Sequence, residues 1–441
     1  MNKAFVLAAT LLVTAACTEK PFEGALPSPH QLAWQDMEMT MFCHFGPNTF
    51  TGLEWGEGTE AEDLFNPTDL DCRQWVRTAK AAGFKGIIIT AKHHDGFCLW
   101  PSPVSKHTVR ESSWRNGEGD VLKELSEACA EEGIKFGVYI SPWDRNDPHY
   151  GTPEYNDVFV QTLESVLGGI YGPVFEQWFD GANGEGPNGK KQVYDWPLFN
   201  GTVLKLQPQA VIFSDVGPGC RWVGNEEGHA GRTNWGTLNI EGFTPGQGGP
   251  SRESLNEGDR DGAFWIPAET DVSIRPGWFW RASENDQVKS VQHLLKIYYE
   301  SVGRNSLLLL NVPPDTRGHL HEVDSTRLME FRAALDQIFA NNVAGQVKRS
   351  GNTWTVKAQG PFNRLVLKED IAKGQRIAAF TVEAHTADGW KTLAEETTVG
   401  HKRIVLLPQT ETEELRITVT ESLAKPLISE IGLYQDSIYH E

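Results

Sequence analysis

Gly86-Ile87-Ile88-Ile89-Thr90 is followed at once by Ala91-Lys92-His93-His94-Asp95-Gly96. Three consecutive isoleucines and a threonine, all β-branched, after a glycine and ahead of a polar run read as a short strand buried on both faces, with chemistry in the loop after it. The same pattern recurs on either side. Upstream, residues 39–45 form a strand candidate, and 67–82 reads as a helix with Cys72, Trp75, Val76 and Ala79 on one face and Gly83 as its stop. Downstream, Asp120 caps a helix that turns Val121, Leu122, Leu125, Ala128 and Cys129 inward and ends at Gly133. Strands follow at Lys135–Ile140, 174–179 and Val211–Ser214, separated by helices near 153–167 and 194–206. A helix near 285–303, a strand at 306–312 and a helix near 326–340 resume the series after a loop-rich stretch from Gly217 to Trp280. Strand–helix alternation with short connections predicts a parallel sheet, and this many units predict a (β/α)8-like TIM barrel rather than an open sheet. A loop as long as 217–280 is expected to be functional. Past Asn342 the helical period vanishes. Short strands at 353–357, 364–367, 377–384, 403–407 and 415–419 predict an all-β sandwich. The expected domains are therefore 1–17, a leader; 18–342, the barrel; and 343–441, the sandwich.

The chain has 441 residues, 40 Lys+Arg and 59 Asp+Glu, for a formal charge of −19. That balance argues against nucleic acid as a partner and against charge-driven binding to an anionic membrane. Fifteen Trp, nine Tyr and 21 Phe supply flat faces that suit the C–H faces of sugars as well as a core. Lys3, an apolar run over 4–16 and then Cys17 have the shape of a leader peptide. Thr14-Ala15-Ala16-Cys17 resembles a bacterial lipobox, although Thr14 stands where Leu is usual. An exported protein, periplasmic or at the cell surface and anchored by lipid at Cys17, is the expectation. Removing Cys17 leaves Cys43, Cys72, Cys98, Cys129 and Cys220, an odd set with no C-x-x-C spacing. Buried free thiols are expected rather than a disulfide framework.

Active groups of a parallel barrel lie just past the strand ends. Those positions here carry His44 with Glu54-Trp55, His93-His94-Asp95, Tyr139 with Ser141, Trp143 and Asp144, Trp178 with Asp180, and Asp215 with Arg221, Trp222, Glu226 and Glu227. Two chemistries compete. His44, His93, His94 and Asp95 could ligate a metal for hydrolysis; His93 and His94, adjacent on an extended segment, would point to opposite sides and not share one ion, whereas His93 and Asp95 could. Alternatively, two carboxyls act on a glycosidic bond while His and Trp hold the sugar. Asp95 reads as structural, pinning its loop.

Lys92-His93-His94-Asp95-Gly96-Phe97 with Leu99-Trp100-Pro101-Ser102, Trp178-Phe179-Asp180-Gly181 and Leu309-Leu310-Asn311-Val312-Pro313-Pro314-Asp315 occur in order, together with Phe42-Cys43-His44-Phe45-Gly46 and Glu54-Trp55. This set, over roughly 32–317, resembles the retaining α-L-fucosidases of glycoside hydrolase family 29. The resemblance implies a nucleophile at Asp180. Arg221-Trp222-Val223-Gly224-Asn225-Glu226 is similar to the subgroup that prefers α1,3- and α1,4-linked fucose, which implies Glu226 as acid/base, with Glu227 as the competitor. It also implies a fucose pocket of His44, Glu54, Trp55, His93, His94, Tyr139, Trp178 and one Trp of 278–280, taken as Trp280, with no cofactor and no metal. Fucosylated oligosaccharides or glycoconjugates are the implied partners. The two carboxyls of a retaining enzyme lie about 5 Å apart. Trp222 could supply the apolar wall that keeps Glu226 protonated. The sandwich resembles a galactose-binding-like domain. The alternatives are a non-catalytic surface glycan-binding lipoprotein and a metal-dependent hydrolase on the same barrel.

Overall fold

The computed structural model describes residues 22–440, so the leader and Cys17 lie outside the described residues. In chain order the barrel domain runs α1 Pro29–Gln35, β1 Met39–Cys43, α2 Pro47–Thr51, α3 Cys72–Ala81, β2 Gly86–Lys92, α4 Val121–Glu132, β3 Lys135–Ile140, α5 Glu154–Leu167, β4 Val174–Trp178, α6 Trp196–Leu206, β5 Val211–Ser214, β6 Cys220–Trp222, β7 Thr237–Leu238, α7 Arg252–Glu257, β8 Phe264–Trp265, β9 Ala268–Ser273, α8 Val291–Glu300, β10 Leu307–Asn311 and α9 Glu322–Ile338. Eight of these strands close a parallel barrel in the order β1-β10-β9-β6-β5-β4-β3-β2. The short β7 and β8 pair as a separate antiparallel ribbon.

Why the strands read as apolar is plain from their two faces. Ile87 and Ile89 of β2 pack outward into the layer between strands and helices, while Ile88 faces the barrel interior with Phe42, Tyr139, Trp178, Phe213, Leu307 and Leu309. Burial on both sides removes polar alternation. Caps set the helix starts more tightly than periodicity does. Asp71 accepts from the Gln74 N–H at 2.9 Å, so α3 begins at Cys72 and not at 67. Ser290 caps α8 in the same way, so residues 285–289 lie outside it. His321 caps α9, which starts four residues before the expected 326. Gly133, at φ 71°, ends α4 in the left-handed region.

The stretch 217–280 is the main correction. It holds two of the eight barrel strands, β6 and β9, as well as the β7–β8 ribbon and α7. Strand β6 is only three residues long and carries Arg221 on its outward side. That fully buried guanidinium donates to the Leu255 carbonyl at 2.8 Å, the Trp235 carbonyl at 3.1 Å and Asn234 Oδ1 at 2.9 Å, and so ties the long loop to the barrel. Arg221 is therefore a clamp, not a mouth residue. Strand β9 turns Glu269 and Asp271 into the interior, so it shows neither an apolar run nor an apolar face.

The C-terminal strands are β11 Ala344–Ser350, β12 Thr353–Ala358, β13 Phe362–Glu369, β14 Ile377–Thr386, β15 Gly389–Glu396, β16 Arg403–Thr410, β17 Glu414–Ser422 and β18 Ile428–Tyr434. They form an antiparallel five-stranded sheet, β11-β12-β17-β14-β15, and a three-stranded sheet, β16-β13-β18. Trp354, Val356, Leu365, Leu367, Phe380, Val382, Leu415 and Ile417 are among the residues of the core between them. This unit docks at the N-terminal ends of barrel strands. Lys402 Nζ donates to Glu38 Oε2 at 2.7 Å, and the His401 N–H donates to Asn305 Oδ1 at 2.7 Å. It therefore braces the end opposite the strand-end residues. The five described cysteines are buried and free.

Candidate active site

The C-terminal ends of the barrel strands surround a cavity of about 170 Å³ lined by Phe42, His44, Glu54, Trp55, His93, His94, Trp178, Asp180, Ala182, Glu226, Asp271 and Trp278. Eight of the strand-end residues singled out in the sequence, His44, Glu54, Trp55, His93, His94, Trp178, Asp180 and Glu226, meet here.

At its base sits Asp180, two residues past β4. Its Oδ1 accepts the Ala182 N–H at 2.7 Å, and its Oδ2 accepts the Tyr139 hydroxyl at 3.1 Å. His94 Nε2 lies 3.5 Å from the same Oδ2. Burial raises the Asp180 pKa above the ordinary aspartate value, and the Ala182 and Tyr139 donors pull against that rise. Tyr139, from β3, is buried and reaches the site through this hydroxyl.

Burial disfavours the charged form of all three histidines. Burial pushes His44 and His94 down to about 3 and lowers His93 as well, with neighbouring histidine charge adding to the effect on His93. His44 Nδ1 is 2.9 Å from Asn311 Oδ1, and His94 Nδ1 is 2.8 Å from the Ser141 hydroxyl. His93 lies parallel to Tyr139 at 5.5 Å. His93 and His94 do not diverge as an extended segment would require. The strand ends at Lys92, the chain turns through Gly96 at φ 86°, and both rings line the cavity with centroids 4.3 Å apart. Asp95 holds that turn: its Oδ1 accepts the Phe97 N–H at 2.7 Å and its Oδ2 accepts from Asn48 at 3.1 Å. With both oxygens so engaged, Asp95 is a poor partner for His93 around a metal. Among the described residues, the one set of three ligating groups that converges is Glu176, Cys220 and Glu269, inside the barrel.

Glu226 stands at the mouth, its Oε2 3.3 Å from the indole N–H of Trp278. Burial raises its pKa, the Trp278 donor lowers it, and the charges of Asp180 and Glu54 raise it further. Glu227 points away: its side chain is 82% exposed and its nearest charged partner is His229, at 3.9 Å. Glu54 accepts the Trp278 backbone N–H at 2.9 Å and the Arg281 guanidinium at 3.0 Å. It thereby holds the loop that carries Trp278. Trp55 stands half-exposed at the rim, edge-on to Trp143 at 5.7 Å.

Two tryptophans are placed otherwise than the sequence implies. Trp280 lies against His321 at 5.8 Å and does not line the cavity. Trp278 is the tryptophan of that loop inside the pocket, because Glu54 grips its backbone and Asn311 donates to its carbonyl at 2.8 Å. Trp222 packs in the barrel interior at the end of β6, hydrogen-bonded to Asp271, and leaves the contact with Glu226 to Trp278. Asp271 was not legible beforehand. It is a fourth carboxyl in the cavity, beside Glu54, Asp180 and Glu226, almost fully buried, and its Oδ1 has no hydrogen-bond partner. Burial, then the charge of Glu226, raises its pKa well above the ordinary aspartate value. Its only signal would have been recognition of β9 as a barrel strand.

A pocket that crowds several carboxyls beside buried histidines and aromatic faces suits a neutral polyhydroxylated ligand on which positive charge develops during reaction. The comparisons agree with this chemistry. The sequence profile of the family described as Alpha-L-fucosidase matches residues 31–337. Alpha-L-fucosidase 1 of Arabidopsis thaliana is 44% identical over 450 residues, spanning 93% of this chain and 88% of that protein. A crystal structure of a putative alpha-L-fucosidase from Bacteroides ovatus superposes with a TM-score of 0.86 at 48% identity, covering 94% of this chain and 75% of that one. A Ruminococcus gnavus GH29 fucosidase in complex with fucose superposes with a TM-score of 0.84 at 31% identity, covering 95% and 97%. Matched along the whole barrel domain by the family profile and along nearly its full length by these relatives, the chain belongs to the α-L-fucosidases of glycoside hydrolase family 29.

Proposed function

We propose that this fucosidase is exo-acting and retaining, and that Asp180 and Glu226 carry out a double displacement. The observation that supports this is that one cavity holds the half-buried Asp180 carboxyl, anchored by the Ala182 N–H and the Tyr139 hydroxyl, together with the Glu226 carboxyl, whose pKa is raised. Asp180 attacks the anomeric carbon of a terminal α-L-fucosyl residue while Glu226 gives its proton to the departing oxygen. Water, deprotonated by Glu226, then releases fucose. The cavity of about 170 Å³ is below the roughly 300–1,000 Å³ of drug-sized sites and suits a single sugar ring. Burial and the charge of Glu226 bias Asp271, which also faces the pocket, toward its protonated form. The preference for α1,3 and α1,4 linkages on branched glycans rests on the likeness of 221–226 to that subgroup. Export and a lipid anchor at Cys17 rest on the leader sequence.

A panel of α1,2-, α1,3-, α1,4- and α1,6-fucosides, with free fucose as readout, tests the specificity. Faster release from the α1,3 and α1,4 members is expected, and equal rates across the panel would remove the subgroup assignment.

The acid can be tested by pH. Trp278 donates to the Glu226 carboxylate and so favours its charged form. Trp278→Phe removes that donor, the Glu226 pKa rises, and its proton is lost at higher pH. The limb of kcat that falls with rising pH is expected to move to higher pH in the variant. A limb that stays in place, or moves to lower pH, assigns the proton to another group.

A further inference from the structure

The double displacement leaves two buried acids without a role. Glu176 of β4 and Glu269 of β9 are both fully buried in the barrel interior, beneath the sugar pocket. Oxygens of their carboxyls come within 4.8 Å of each other, and burial raises the pKa of both, which biases the pair toward sharing a proton. Glu176 Oε2 accepts the indole N–H of Trp34 at 2.8 Å, and Cys220 Sγ lies 3.6 Å from Oε1. Glu269 Oε1 accepts the indole N–H of Trp178 at 2.8 Å. The three groups Glu176, Cys220 and Glu269 are close enough to suggest a cation site. Two indole N–H donors aimed at the carboxyls would face that cation, so the surroundings fit a proton-sharing pair instead.

Two carboxyls in an otherwise apolar interior stabilise the fold less than an apolar pair of the same size would. What they do locally is hold Trp178. That ring lies flat on Phe213, with centroids 3.9 Å apart and planes at 8°, and stacks on Tyr139 at 5.3 Å and 24°. Stacking sets the plane of an indole but tolerates sliding and reversal within that plane; one directed N–H bond removes both freedoms. Trp178 lines the cavity, and Tyr139 donates to Asp180.

We infer that Glu269, held in turn by Glu176, is a positioning residue of this fucosidase: it fixes the Trp178 indole, and through the Trp178–Tyr139 stack the sugar-facing wall beside Asp180. This rests on the cavity being the fucose pocket. The acids act on substrate only through Trp178, and that dependence makes the inference testable.

The test is a double-mutant cycle. Glu176→Met with Glu269→Met removes both acids together, so that no orphan carboxyl is left in the core and the barrel can still fold. L-fucose binding is measured by calorimetry in this variant, in Trp178→Phe, and in the combination. Calorimetric binding of L-fucose weakened by about tenfold, the scale of one lost hydrogen bond to a carboxyl, is expected in the presence of Trp178. With Phe at 178 the same two changes are expected to cost nothing further. Glu269→Gln, whose amide oxygen can still accept from Trp178 while its nitrogen donates to Glu176, is expected to restore binding and turnover. Unchanged binding in the double Met variant overturns the inference. So does an equal loss in both backgrounds, which marks a merely structural role, or a failure of Glu269→Gln to restore binding. Because free fucose is the probe, the result does not depend on which carboxylate attacks. Turnover retained in Asp180→Ala would remove the nucleophile assignment and leave the cycle intact.

Discussion

Asp180→Ala is expected to lower kcat by on the order of 10⁴ or more, the scale on which rate falls when an attacking group is lost. The geometry explains why no neighbour can take over. Asp180 is the carboxyl held at the cavity base by the Ala182 N–H and the Tyr139 hydroxyl. Asp271 is biased to its protonated form, and Glu226 sits at the mouth beside Trp278. Two controls separate chemistry from collapse. The variant should still bind L-fucose, since the histidines and aromatic walls remain. Added azide should restore partial turnover on an activated substrate and yield the β-fucosyl azide, because azide then attacks from the side that Asp180 occupied. Near wild-type release of fucose, or an α-configured azide product, would exclude Asp180 as the nucleophile.

Glu226→Ala is expected to lose on the order of 10²–10⁴ in rate on natural linkages, the usual worth of positioned acid–base catalysis. The loss should shrink on substrates whose leaving groups need no proton. Azide should accelerate this variant too, but with the α-fucosyl azide as product, since it displaces an intact fucosyl–Asp180 ester from the opposite face. The pH dependence follows from the two shifts. Asp180 must be ionised, and its raised pKa means that activity falls as pH drops through that value. Glu226 must be protonated, and its raised pKa means that activity falls as pH rises through that value. Glu226→Ala should remove the second fall and keep the first. Glu227→Ala, 82% exposed and turned toward His229, should behave like the parent. If Glu227→Ala shows the leaving-group dependence instead, the acid is one residue further along.

Much of the fold was legible because buried parallel strands advertise themselves. Ile87–Ile89, Val211–Phe213 and Leu307–Leu310 are apolar on both faces, and caps and glycines mark the helices between. Strands β6 and β9 were not legible for a physical reason: the interior of this barrel is polar where chemistry and support are needed. Glu269 and Asp271 on one strand, and Arg221 clamping carbonyls on the other, erase the apolar signal. The site was legible as a set of strand-end residues, and His44, His93, His94, Trp178, Asp180 and Glu226 do share one cavity.

By itself, then, the sequence determined the barrel, the sandwich behind it, and the residues that reach the mouth, since strand ends and their loops are local properties. Tertiary structure alone decided which side chains turn inward. Trp278 rather than Trp280 enters the pocket because Glu54 and Asn311, more than 200 and about 30 residues away, hold its backbone. Asp271 lines the cavity, and Glu269 meets Glu176 in the barrel interior, because closing the sheet sets β9 between β6 and β10. Contacts made across a closed barrel depend on which strands become neighbours, and no local pattern in the chain encodes that.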